Sequence, residues 1–111
     1  MLNSSGSALG GAVSSQSLDN NANIALGTPP SSVVLVATSS AANKTGITID
    51  TGTVEGQVVY VVNNSANTLT FAAKAVNSTL GGTSTVIAAN AGVVLVWEVT
   101  AAAWCCVGKG S

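Results

Sequence analysis

The sequence predicts an all-β domain, an antiparallel β-sandwich of jelly-roll-like form, and three observations lead there. From Ser31 onward, short runs rich in Val, Ile and Thr recur at spacings of about 8–12 residues, with Gly, Asn and Ser turns between them. Several of these runs alternate apolar and polar residues with the period of two that a half-buried strand requires. The alanines that would suggest helix sit among Thr, Val, Asn and Gly, which argue against it.

The elements follow in order. Residues 1–30 are mostly Ser, Gly, Asn and Ala, with isolated leucines, valine and isoleucine and no sustained period. So little apolar content does not offset the entropy of ordering, so the stretch is expected to be an extended N-terminal arm. Leu18, Ile24 and Leu26 are its candidate pegs into a neighbouring subunit. Pro29-Pro30 is expected to stiffen the joint to a body spanning residues 31–111. In that body, residues 33–37 form a β-branched run. Residues 45–50 alternate, with Ile47 and Ile49 on one face and Thr48 and Asp50 on the other. Residues 57–62 follow a Gly-bounded turn, and residues 68–71 turn Leu69 and Phe71 inward. Residues 86–88, 93–99 and 104–107 complete the strands.

Two of these runs, 57–62 and 93–97, are apolar on both faces. A single small sandwich leaves one face of each strand to water, and a body of this length cannot cover both. A symmetric homo-oligomer would supply the cover. Val58, Tyr60, Val62, Val94 and Val96 are the candidates for that contact or for the core behind it.

Charge decides which chemistries remain. The chain carries seven charged side chains in 111 residues (three Lys, four Asp or Glu), with no Arg and no His. An ordinary domain has charge on about a quarter of its residues. Without His there is no near-neutral proton shuttle and no imidazole ligand. Without Arg there is no bidentate grip on phosphate or carboxylate. A net charge of −1 gives no footprint for nucleic acid. The longest apolar run, residues 101–107, falls far short of the roughly 20 residues a spanning helix needs, so no membrane partner is expected. With no charged n-region ahead of Lys44, cytoplasmic synthesis is expected. No enzyme activity, cofactor or metal is expected.

Few groups could carry chemistry. Asp50 and Glu55 flank the 51–56 turn and could pair as carboxylates for acid–base work or calcium, though solvated turn charges are the simpler reading. Cys105 and Cys106 are adjacent in a strand-like run, where neighbouring side chains point to opposite faces. Two reduced thiols acting as small hydrophobes fit better than a redox switch or metal site. Trp97 and Trp104 could form a sugar-stacking pair, against which stands the commoner role of a cross-strand aromatic pair in a terminal hairpin.

The stretch Thr51-Gly52-Thr53-Val54-Glu55-Gly56-Gln57-Val58-Val59-Tyr60-Val61-Val62-Asn63-Asn64-Ser65 resembles small β domains on tailed bacteriophage particles. The ending Ala91-Gly92-Val93-Val94-Leu95-Val96-Trp97, followed by Ala103-Trp104-Cys105-Cys106-Val107-Gly108, is similar to their closing hairpin. The resemblance spans residues 31–108 and implies a trimeric virion protein, a head decoration (cement) protein on the capsid outer surface with the major capsid protein as partner. The alternative it implies is a carbohydrate- or receptor-binding module of a tail fibre or spike. The chain departs from the pattern at Cys105, where many such modules carry a charge.

Overall fold

A computed structural model of the chain describes residues 13–72, 76–77 and 86–109, and every regular element among them is a strand. These are β1 (Val13–Leu18), β2 (Asn23–Ile24), β3 (Val33–Thr38), β4 (Lys44–Ile49), β5 (Val58–Asn63), β6 (Leu69–Phe71), β7 (Val76–Asn77), β8 (Val86–Ile87), β9 (Gly92–Glu98) and β10 (Ala103–Lys109). They build two sheets, one of six strands in the order β1-β3-β5-β9-β10-β7 and one of four in the order β2-β4-β6-β8. The predicted sandwich is borne out, and all seven strands anticipated after Ser31 are present.

The pairing is not antiparallel throughout. β1, β3 and β5 pair parallel in one sheet, and β2, β4 and β6 pair parallel in the other. The chain therefore alternates between sheets and winds as a flattened coil. Parallel neighbours need a crossover between them, and here the strand of the opposite sheet is that crossover. Antiparallel pairing enters where the coil closes. β8 runs against β6, β9 runs against β5, and β10 returns along β9 as a hairpin with a bulge at Val107.

Residues 13–30 also depart from expectation. They are not an extended arm, because β1 lies in register on β3 over six residues and β2 lies on β4. Leu18 (2% exposed), Ile24 (0%) and Leu26 (3%) point into this chain's own core, so they are unavailable as pegs for another subunit. Pro29 and Pro30 sit in the turn between β2 and β3, which the Ser31 N–H closes on the Leu26 carbonyl at 2.7 Å, and form no extended hinge. The arm as a whole, residues 1–30, is thus replaced by the first turn of the coil for its described part. Residues 1–12 lie outside the described residues.

What orders this polar stretch is its side chains. Asn20 Oδ1 accepts the Thr45 N–H at 2.9 Å, and one turn later Asn43 Oδ1 accepts the Thr68 N–H at 2.9 Å. Asp50 takes the Asn23 amide at 2.8 Å and the Leu26 N–H at 2.9 Å. At the same corner Gly46 has φ +73°, and any Cβ there would meet the Asn21 side chain. Lys44 is buried and pairs with the exposed Asp19 at 3.1 Å.

The core fills the space between the sheets. Val34, Val36, Val59, Val61, Val93, Leu95, Trp97 and Trp104 come from the larger sheet, and Ile24, Ile47, Ile49, Leu69, Phe71 and Ile87 from the smaller. Ile47, Ile49, Leu69 and Phe71 face inward as their alternation requires. Asn63 is fully buried at the end of β5, where its amide donates to the carbonyls of Asn67 (2.7 Å) and Ala88 (3.1 Å). A buried amide so satisfied costs little.

Candidate functional site

The two sheets turn different surfaces to solvent. On the four-stranded sheet the outward positions include Asn23, Thr48, Asp50 and Thr70, a polar row laced by hydrogen bonds such as Thr48 Oγ1 to Asn23 Oδ1 at 2.8 Å. Over β3, β5 and β9 of the six-stranded sheet the outward positions are apolar up to Glu98 at the end of β9. In β3, β5 and β9 the valines at 34, 36, 59, 61 and 93 point inward with Leu95, so the intervening residues must point out.

Register then assembles the face. Val33 lies beside Tyr60 and Tyr60 beside Val94. In the adjacent row Val58 lies beside Val96 and Val96 beside Cys105, while Leu35 lies beside Val62. Val58 is 40% exposed, Tyr60 49%, and Val107 in the bulge 64%. None of these positions is charged. Glu98 stands at the end of β9 with Oε1 accepting the Ala101 N–H at 3.0 Å. Four strands at about 4.8 Å spacing, with about six residues at roughly 3.3 Å rise, give a projected area of roughly 400 Å². Monomers rarely carry a larger apolar patch, and patches of ~300–600 Å² are often functional.

The structure thus brings Val58, Tyr60, Val62, Val94 and Val96 together on one face and leaves Leu18, Ile24 and Leu26 in the core. Sequence reasoning missed Val33 and Leu35 as members of that face. The signal was available, since residues 33–37 form a third run that is apolar on both sides.

The remaining candidates hold the fold. Trp97 and Trp104 are direct cross-strand partners, with ring centroids 5.3 Å apart in an edge arrangement at 63°. Both are buried, and Trp104 Nε1 donates to the Asp50 carbonyl at 2.8 Å, so neither presents a ring face to a sugar. Gly52 lies against the Trp97 indole so closely that a Cβ would overlap it. Asp50 and Glu55 form no carboxylate pair in function: Asp50 ties β2 to β4, and Glu55 Oε1 accepts the Val99 N–H at 2.7 Å. Cys105 and Cys106 are free thiols on opposite faces of β10, with Cys106 against the core. Among the described residues, no three His, Cys, Asp or Glu side chains gather as a metal site. The Asp19 carboxyl sits below the usual aspartate range, held down by the Asn20 N–H and then by the Lys44 ammonium.

A two-sheet sandwich with this coil-and-hairpin order is the frame for comparison with known families. Residues 11–105 match the model of the phage depolymerase C-terminal beta sandwich domain. The chain belongs to that family. It is therefore a virion-associated β-domain of bacteriophage, and the resemblance to phage particle domains holds at that level. A search of curated proteins finds no match.

Proposed function

We propose that this chain is a non-catalytic structural module of a phage tail fibre or tail spike, which packs against copies of itself through the outer face of the six-stranded sheet. The observation that carries the proposal is the uncharged face built from Val33, Leu35, Val58, Tyr60, Val62, Val94 and Val96. Burying such a face is favourable at about 25 cal/mol per Å², and a chain with net charge −1 offers its own copy little repulsion. A standard interface takes about 800 Å² from each partner, so the face supplies about half of one. Pairwise contact through it is correspondingly weak, and closure of a ring by several copies strengthens it. Three copies is the expected number, following the resemblance to trimeric virion domains.

Membership in the phage depolymerase C-terminal beta sandwich family supports the tail over the head, whereas capsid decoration rests on the resemblance of residues 31–108 and on the low charge. Glycan stacking on Trp97 and Trp104 is not part of the proposal, because both indoles are buried. Sedimentation velocity over a concentration series tests the assembly. The native chain should sediment as an oligomer, and Tyr60→Lys and Val96→Lys should sediment as folded monomers. A native chain that stays monomeric at high micromolar concentration would refute the interface. Immunogold labelling of phage particles tests the location, and gold on heads would refute the tail assignment.

A further inference from the structure

Among the described residues, strand β2 stands at the edge of its sheet. In its pairing with β4, the Thr48 and Asp50 N–H groups donate to the Ala22 and Ile24 carbonyls, each at 3.0 Å. Alternate residues of an extended strand present their peptide groups to the opposite side. Ala25, which follows β2, therefore turns its N–H and carbonyl away from β4.

One side chain meets both groups. The Ala25 N–H donates to Gln16 Oε1 at 2.8 Å, and Gln16 Nε2 donates to the Ala25 carbonyl at 2.7 Å. These are the two bonds that a residue of a further strand would make. One turn later the level residue is Asp50, and its N–H goes to Ile24 of the preceding turn. Gln16 thus takes at Ala25 the place that Ile24 takes beside Asp50.

The same exchange occurs independently at the corner. The Thr45 and Thr68 N–H groups are each taken by an asparagine of the turn before. In the first turn the Asn20 N–H is taken instead by the neighbouring Asp19 carboxylate, at 2.8 Å.

We propose that Gln16 and Asp19 are end-caps of the coil: they occupy the backbone edge at which an extended strand of a second copy would add, and so confine self-association to the sheet face. Proteins usually guard such edges with Lys, Pro or a bulge. Residues 22–26, Ala-Asn-Ile-Ala-Leu, contain no Lys, Pro or charge. A second copy is the relevant intruder, because it carries the same uncharged strand at the same edge.

The test is made in a Tyr60→Lys background, so that association through the sheet face does not mask the edge and the two proposals fail separately. Adding Gln16→Ala should leave the strand circular dichroism unchanged, speed hydrogen exchange at the Ala25 amide at least tenfold, and produce light scattering that rises with concentration. Adding Ala25→Pro to that variant removes the edge donor and should return it to a monomer. A Gln16→Ala variant that scatters no more than its parent overturns the proposal. So does scattering that persists with Ala25→Pro. Loss of the strand signature in both Gln16→Ala and Gln16→Ser would also overturn it, because an exposed-edge cap is not needed for the core.

Discussion

Residues 13–31 and residues 92–109 each give two strands to the sandwich, and they do so with opposite chemistry. The first stretch is Ser- and Asn-rich and, among its described side chains, places Leu18, Ile24 and Leu26 as the large apolar ones in the core. It is fastened by side chains that bond to another strand's backbone, Asn20 to Thr45 and Gln16 to Ala25. The second stretch is Val- and Trp-rich and is fastened by Leu95, Trp97 and Trp104 against the core. Polar composition signals disorder only when the polar groups are left to water. Where amides and carboxylates take the place of missing peptide partners, the same composition builds a strand edge.

The comparison is broken outright if residues 1–30 can be removed without consequence. Deleting them strips β1 and β2 from both sheets and uncovers Val34, Val36, Ile47 and Ile49, so the remaining chain should lose its cooperative thermal transition. A chain beginning at Ser31 that melts like the full one would mean that the first stretch is an accessory. Next in size is a matched pair. Trp104→Ala should cost about 3–5 kcal/mol and Ile24→Ala about 2–5 kcal/mol in urea unfolding, since both side chains are fully buried. Comparable losses would place the two stretches in one cooperative unit, whereas a near-zero cost at Ile24 would separate them.

A smaller effect sharpens the hairpin side. Gly52→Ala forces a methyl into the Trp97 indole and should cost about 1–3 kcal/mol, with a change in tryptophan fluorescence. The smallest effect belongs to the first turn. The folded Asp19 carboxyl lies below its ordinary range, because the Asn20 N–H and the Lys44 ammonium favour the charged form. Its contribution is therefore present above the unfolded-state value of about 4 and is lost as pH falls through the lower folded value. Asp19→Asn should flatten the acid limb below about pH 4 by lowering stability slightly at neutral pH, and should match the native chain in acid, the small size suiting an exposed carboxylate.

Most of the body was legible from sequence because its strands announce themselves by β-branched residues and alternation, and Ile47, Ile49, Leu69 and Phe71 face as their period dictates. The apolar face was legible as well, since runs such as Val58–Val62 have more apolar residues than one core can use. The first turn was not. Composition alone reads residues 13–30 as unable to fold, and it carries no sign that Asn20 and Asn43 bond to residues 25 positions ahead. Parallel pairing was equally hidden, because alternation reports which face is buried but not which strand lies alongside. The short echo between Ile47-Thr48-Ile49 and Leu69-Thr70-Phe71, which lie on adjacent strands, is the trace of the coil that the sequence does contain.

The order of strands also sets a timetable. Each turn of the coil stacks on the one before it, so β1 to β6 can pair in the order in which a ribosome delivers them. The central place in the large sheet is different: Val58 must wait for Val96, and β5 keeps an open flank until β9 arrives. Pairings at such sequence distance are slow, with all-β domains of this kind typically folding in milliseconds to seconds. The interval before β9 arrives is when the Val59 and Val61 strand is most open to a wrong neighbour.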